Sequence, residues 1–512
     1  MKKGDMFALA FGGDISAVAS QYDGLALRVG ATQVIFLISG LHSSQQAVDY
    51  CGRGNMKVAK GYKRIHAATL VTCVFAAMLM TLLAGCDRSD SRDIHEIECW
   101  YPWGGEEAEA MKVMATAFEE SHPGWKLKLV YAANTLTSSQ KLFLAIAGGK
   151  PPDVTFVDGQ QLAEWAARGA LEDITELVTE AGIGESDFFK PRWDESTFEN
   201  RVYALPWCAD PNFAFGWNKK AFREVGLDPE RPPRTIKELD EYNDKLTKVD
   251  PNGTVTRIGV IPWLWFGNAN SIFTWGYVFG GDFYDRPNRA VTANDPRVLA
   301  SLEWMTSYAR KYDVKKVSAF LSSFVGLENN PFYSGRIAMM PIHISTLRYI
   351  DRYAPMLEYG LTWIPSPEDG EQKSSWIGGW SMGIPRDVPP ERKRAAFEVM
   401  RWWCATKEGS QVCARSMSLV PAYRHSPWFE EARKDWRMAV FIDIVNNSQH
   451  VRTLMPAQGY LMDLLNIAVE RSLYGTQAPK DALEEANRKA QKRLNILLES
   501  RDRRRREAAN ES

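Results

Sequence analysis

Between Glu96 and Asp158 the chain alternates strand-like and helix-like stretches, and this order admits few folds. Glu96–Tyr101 reads as a strand, and Pro102-Trp103-Gly104-Gly105 as a tight turn. Glu106–Glu120 carries Met111, Met114, Ala115 and Phe118 at i, i+3, i+4 and i+7, one apolar face of a helix that His122-Pro123-Gly124 stops. Trp125, Leu127, Leu129 and Tyr131 then alternate with other residues as in a half-buried strand. A helix over Ser138–Ala147 ends at Gly148-Gly149, and Pro152–Asp158 supplies the next strand. Strand, helix, strand, helix, strand argues an α/β fold with a largely parallel sheet. In such sheets ligands sit beyond the carboxyl ends of the strands, which puts Trp103 and Asp158 beside a cleft. Asp158 also reads as the N-cap of a helix over Gln160–Arg168.

A second stretch, Val202–Asn218, has two extended runs joined by a polar, Trp-bearing bend that holds Trp207 and Asp210. Such a pair of runs suits a chain passing from one lobe to another, and clefts between lobes are where small ligands bind. Further on, Pro262–Asn268 places Trp263 and Trp265 in a loop-like run with Gly and Asn, and Trp275 follows. Trp376-Ile377-Gly378-Gly379-Trp380 combines indoles with glycines that let backbone approach a ligand. Lys480–Leu498 is a closing helix, and Arg501–Glu507 reads as a solvated, frayed end.

The chain has 512 residues, enough for two or three compact domains. A formal net charge of -1 gives no global basic field for nucleic acid. The seven cysteines show no CxxC pair and the seven histidines no HExxH, so no metal site and no cofactor are expected. Disulfides among Cys99, Cys208, Cys404 and Cys413 are open to an oxidising compartment, with no pairing implied. Trp is abundant at 18 residues. Indoles fill cores, and they also make walls for ligands with apolar faces and polar edges, as sugar rings have.

A targeting segment lies unusually far from the first residue. Lys57, Lys60, Lys63 and Arg64 form a basic region, Ala67–Ala84 is apolar, and Leu83-Ala84-Gly85-Cys86 ends it before polar Asp87–Asp90. This is the layout of a secretory signal peptide over 56–85, with a tether over 86–93. Residues 1–55 are expected to precede the true start at Met56 or to be disordered. The small residues before Cys86 resemble a bacterial lipobox, which implies a lipidated Cys86 and attachment to a membrane surface.

The chain resembles the extracellular solute-binding proteins of ABC importers, in the maltose- and glycerol-phosphate-like sugar branch. The resemblance rests on ordered short elements. Tyr203-Ala204-Leu205-Pro206, Trp217-Asn218-Lys219-Lys220-Ala221-Phe222, Gly226-Leu227-Asp228-Pro229 and Thr235–Leu239 come in the family's order, with Trp217 where the family usually has Tyr. Gly149–Val154, Gly169–Leu177, Pro331–Met340, Trp363–Pro367, Trp376–Ser381 and Leu419–Ala422 extend it over roughly Glu98 to Leu498. It implies a two-lobed periplasmic-binding-protein fold with a hinge and an interlobe cleft, a carbohydrate ligand, transmembrane permease subunits as partners, and a monomer. Lobe one is expected to take 94–205 plus 317–370, lobe two 206–316 plus 371–498, and 499–512 to be a disordered tail. The crossings fall near Leu205–Asp210, Tyr312–Ser318 and Glu371–Trp376.

Two enzyme readings compete. Gly379-Trp380-Ser381-Met382-Gly383 fits G-x-S-x-G, but Pro385 follows where a nucleophile elbow needs a helix. A glycoside hydrolase needs paired carboxylates, for which Asp158, Asp210 and Glu106 are available. A binder uses the same carboxylates to accept from sugar hydroxyls. The expected ligand contacts are Trp103, Glu106, Asp158, Trp207, Asp210, Trp263, Trp265, Trp275, Trp376, Gly378, Gly379 and Trp380, with no catalytic residue. The ligand could also be a phosphorylated polyol, which requires a cleft arginine; Arg348 and Arg424 have no assigned place.

Overall fold

The computed structural model describes residues 96–132, 136–264, 267–324, 326–368, 375–448, 450–452 and 454–511. Residues 1–55, the signal segment 56–85, Cys86 with its tether, and Trp265 lie outside the described residues.

The first sheet grows from the alternation at the start of the described chain. β1 (Glu96–Tyr101) is followed by α1 (Gly105–Ser121), β2 (Lys126–Tyr131), α2 (Leu136–Ala147), β3 (Val154–Asp158) and α3 (Gly159–Ala167). β1 pairs in parallel with both β2 and β3, with Cys99 opposite Leu129 and Val154. β3 is buried at four of its five positions, as fits a strand covered on both faces. β2, at the edge, points Lys126 and Lys128 outward, which blunts edge-to-edge pairing. Met111, Met114, Ala115 and Phe118 of α1 are buried against this sheet. Burial of each of the three larger side chains is worth about 1.5–3 kcal/mol.

The chain then crosses. β4 (Leu205–Pro206) lies in the first sheet, β5 (Asp210–Asn212) in a short ribbon, and β6 (Ala214–Asn218) in a second sheet. The second sheet has β6 at its centre, flanked by β7 (Met339–Ile342) and β8 (Tyr359–Thr362), both antiparallel to it. The return is made by β9 (Trp376–Gly378), which pairs with β5, and β10 (Trp380–Gly383), which pairs with β3 and β4. Two antiparallel strands therefore connect the sheets, and Gly379 is the single residue between β9 and β10. α4 (Asn268–Val278), α5 (Pro296–Tyr312), and the late helices α9 (Gln458–Leu473) and α10 (Pro479–Glu511) pack together beside the second sheet. Their core holds Phe273, Trp275, Leu302, Leu461 and Leu494.

These pairings correct the expected boundaries. Residues 317–370 do not join the first lobe, because β7 and β8 occupy both edges of β6. Residues 371–498 are not all in the second, because β10 inserts between β3 and β4 and α7 (Pro390–Ala405) packs on that sheet. No crossing occurs at Tyr312–Ser318. The third one follows the helix Lys407–Met417, which packs on α1, and precedes α8 (Trp436–Asn447), which packs on the second sheet. The closing helix continues through 499–511 instead of fraying, and Arg501 is buried with an ion pair to Glu199. Cys99, Cys208, Cys404 and Cys413 are buried and free.

Candidate ligand-binding cleft

The crossing ribbon brings two distant segments into contact. Trp207 N donates to Trp380 O at 3.0 Å, and Gly159 N donates to Gly379 O at 3.0 Å. Gly379 has φ +141°, and a Cβ there would lie 2.6 Å from the Cys208 carbonyl oxygen, so only glycine permits this approach. Behind the ribbon, the fully buried Arg192 donates from Nε to Cys208 O at 2.8 Å, and from Nη2 to Trp380 O and Ser381 Oγ at 3.0 Å. Its charge is paired with buried Glu195. A buried guanidinium is costly unless so satisfied. Here it ties both crossing segments to the first lobe.

Four rings meet where β1 and β3 end. Trp103 stands 5.0 Å from Trp380, 5.2 Å from Trp207 and 4.9 Å from Phe156, mostly edge to face. Trp207 and Phe156 are buried, whereas Trp103 and Trp380 are half-buried, and Trp380 presents surface to the cleft. Next to Trp380 is a cavity of about 140 Å³, lined from the first lobe by Asp158 and Trp380, from the crossing segments by Asp210, Asn212 and Trp376, and from the second lobe by Asn270, His343 and Arg452.

Asp158 accepts from Gln160 N at 3.2 Å, capping α3, and also faces Arg452, whose Nη1 is 3.4 Å away. Cap and cleft position thus coincide in one side chain. The Arg452 guanidinium lies 4.8 Å above the Trp376 ring. The segment carrying it is held on both sides, by Tyr277 Oη donating to Val451 O at 2.8 Å and Ile377 N donating to His450 O at 2.9 Å. His450 also stacks on Tyr277 at 4.6 Å. Arg452 Nε is buried and makes no protein hydrogen bond. Burial lowers the pKa of His343 and of His450, favouring neutral imidazoles.

Of the expected contacts, Asp158, Asp210, Trp376, Gly379 and Trp380 line this cavity, and Trp103 with Trp207 backs it. Others do not reach it. Trp275 is a core residue, fully buried with Nε1 donating to Pro262 O at 2.8 Å. Trp263 is half-buried between the two apolar cores. Gly378 sits within the ribbon, facing the Trp376 ring and the Asn212 side chain. Glu106 is on the exposed first turn of α1, bonded to Arg352. Arg452, Asn212, Asn270 and His343 line the cavity and were missed by sequence reasoning, and Arg452 is the charged one among them. The only available signal was a lone cation just upstream of a Pro and an apolar helix.

Ser381 is fully buried, with Oγ hydrogen-bonded to Arg192 and Ser196, and the strand runs on through Gly383. It has neither the exposure nor the turn of a nucleophile. A wider cavity of about 890 Å³, containing Lys220, Arg257 and Arg336 with Glu224, Glu328 and Glu358, is formed by the second lobe alone. It touches one lobe only, whereas the smaller cavity is bounded by both and holds more of the expected contacts. No group of acidic, His or Cys residues suited to a metal ion occurs among the described residues, and none of their helices is long and apolar enough to cross a membrane.

The model of the family described as bacterial extracellular solute-binding protein matches residues 104–408, more than half of the chain. The sn-glycerol-3-phosphate-binding periplasmic protein UgpB of Salmonella typhimurium is 24% identical over 305 residues, which cover 56% of this chain and 65% of that protein. The match therefore spans just under two thirds of this relative's length. Among solved structures, the protein CpMnBP1 with mannobiose bound superposes with TM-score 0.66 at 24% identity, covering 77% of this chain and 99% of that one. UgpB from Mycobacterium tuberculosis in complex with glycerophosphocholine gives TM-score 0.62 at 20% identity, covering 79% and 98%. The two sheets, the crossing ribbon and the cleft are those of the two-lobed periplasmic-binding-protein fold, and this chain belongs to the bacterial extracellular solute-binding protein family.

Proposed function

We propose that this protein captures a carbohydrate by hinge closure and delivers it to the permease of an ABC transporter, without chemical change to the ligand. The observation that carries the reading is the cavity bounded by both lobes and the ribbon, where Asp158 and Asp210 stand beside the Trp376 and Trp380 rings. Carboxylates accept from hydroxyls, indole faces pack on apolar ring faces, and contacts from both sides exist only when the lobes are shut. Closure then follows from the ligand's differential affinity for the shut form. A shift from about 1% to 99% shut takes roughly 5.5 kcal/mol of such difference. A few hydrogen bonds at about 1 kcal/mol each and one or two aromatic contacts are of that order. The relatives point the same way in being named as binding proteins.

Size bears on the ligand. At about 30 Å³ per water, 140 Å³ holds roughly five water molecules. This suits a small polyol or part of one ring. A separate cavity of about 710 Å³, with Trp165, Tyr460 and Asp463 in its walls, lies between α3 and the late helices. A second reading is favoured by Arg452. A largely shielded guanidinium in the cleft suits a phosphorylated polyol, and relatives are named for sn-glycerol 3-phosphate and glycerophosphocholine.

Cys86 is proposed to be lipidated after cleavage of the 56–85 signal, which tethers a monomer at the outer face of a bacterial membrane. Two or more acyl chains give stable attachment, at about 0.8 kcal/mol per buried CH₂. A thermal-shift screen of the full chain against mannobiose, maltose, maltotriose and sn-glycerol 3-phosphate tests the reading. A concentration-dependent rise in Tm with one of them supports it, and turnover of a bound saccharide overturns it.

A further inference from the structure

Two acidic side chains open α1 in the first lobe. Two basic ones lie on α6 (Thr346–Tyr353), which connects β7 to β8 in the second lobe. Arg352 Nη1 donates to Glu106 Oε1 at 2.7 Å, and Arg348 Nη2 donates to Glu107 Oε1 at 2.9 Å. Arg348 Nη1 also stands 4.0 Å from Glu106 Oε2, so the four charges form one network. The acids are in the first turn of α1, and Arg352 is in the last turn of α6, each where the helix dipole favours its charge.

Both mounts are rigid. α1 is anchored by Met111, Met114 and Phe118, and α6 by Leu347 and Ile350, with Asp351 paired to Arg437 of α8. The basic arms are ordered by their own rings: Arg348 lies 5.0 Å from the Tyr349 centroid, Arg352 5.5 Å from that of Tyr353, and the two tyrosines stack at an interplanar angle of 15°. The network sits three residues past Trp103, at the rim of the cleft.

We propose that Glu106 and Glu107 on one lobe and Arg348 and Arg352 on the other form an electrostatic clamp that favours the shut form independently of any ligand. The inference rests on hinge closure but not on the identity of the solute. Each partly exposed pair contributes modestly, so two pairs bias the open–shut equilibrium by roughly three- to tenfold. The bias is screened by salt, since the Debye length falls from about 10 Å at 0.1 M to about 3 Å at 1 M. Because apparent affinity scales with the fraction of competent protein, the clamp also sets how much of the closure free energy a ligand must provide.

The test measures lobe separation in the full chain with no ligand added, by electron–electron dipolar spectroscopy between nitroxides on genetically encoded ketone side chains. Exposed positions 120 on α1 and 316 on the second lobe take the labels. The unmodified charges are expected to give a short- to long-distance population ratio that falls up to three- to tenfold on raising NaCl from 20 mM to 0.5 M. Glu106→Gln with Glu107→Gln is expected to show the smaller population at both salts. Arg348→Gln with Arg352→Gln does the same from the other side and serves if the first variant folds poorly. Exchanging the signs across the cleft (Glu106→Arg, Glu107→Arg, Arg348→Glu, Arg352→Glu) is expected to restore the short distance. Identical distance distributions in the parent and both neutralised variants at both salts overturn the clamp, as does a sign exchange that behaves like a neutralised variant. Failure of the sugar screen leaves this outcome untouched, so the two proposals fail separately.

Discussion

Arg452 Nη1 lies 3.4 Å from Asp158 Oδ1, joining a loop of the second lobe to the end of the third strand of the first. Both side chains are about 14% exposed, so the pair is largely shielded from bulk water. The first prediction follows from it. Arg452→Gln should weaken binding of sn-glycerol 3-phosphate by about tenfold or more, because a charge-assisted bond to a phosphate is worth roughly 1.5–3 kcal/mol. Binding of a neutral disaccharide should change far less. Calorimetric titration of both ligands into parent and variant separates the two; equal losses for both would remove the phosphate-reading role.

Trp380 is half-buried, lines the cavity and leans on Trp103 at 5.0 Å. Trp380→Ala should weaken carbohydrate binding by about 1 kcal/mol or more while the fold persists, since its ring is a wall and not a core filler. Trp275→Ala should do the reverse. It removes a fully buried indole, and the loss of about 3–5 kcal/mol should appear in the thermal melt. Trp380→Ala with full affinity would place the wall elsewhere.

Gly379→Ala should destabilise the protein by about 1–3 kcal/mol through overpacking and strain, because its new Cβ would press on the Cys208 carbonyl across the ribbon. Chemical denaturation measures this. An unchanged midpoint would mean that the two crossing segments separate at little cost.

Acid should loosen the molecule through two half-buried imidazoles. The pKa values of His343 and His450 are lowered from 6.5 by burial. Between the folded pKa and 6.5 the unfolded chain binds more protons than the native one, so stability rises with pH there. The contribution is complete above pH 6.5 and is lost as pH falls through the folded values, with a slope of up to about 1.4 kcal/mol per pH unit for each group. Melts from pH 7.5 to 5 should fall more steeply in the parent than in His450→Gln, where one proton uptake is removed. Parallel profiles would assign the acid sensitivity to other groups.

The alternation from Glu96 to Asp158 was legible because helix and strand periods are local. The crossing at Val202–Asn218 was legible for the same reason. The lobe boundaries were not, since β7 and β8 join β6 by non-local antiparallel pairing that no short window encodes. Burial is likewise a tertiary property. Trp275 and Trp380 both follow glycine-bearing stretches, yet one is enclosed by α5 and the other faces the cleft. Arg452 lies in an irregular segment whose position is fixed by Tyr277 and Ile377, far away in sequence. Glu106 was expected in the cleft as an available carboxylate, but its side chain, in the first turn of the helix, is bonded to Arg352.

The central claim is that a soluble solute is held between the two lobes. Titration calorimetry of the full chain with mannobiose, maltotriose and sn-glycerol 3-phosphate, repeated on Asp158→Ala with Trp380→Ala, tests it most directly. Saturable one-to-one binding of at least one ligand to the parent, lost or weakened at least tenfold in the double variant, is the predicted result. Binding that survives unchanged in the double variant, or none of the three ligands binding the parent, contradicts it.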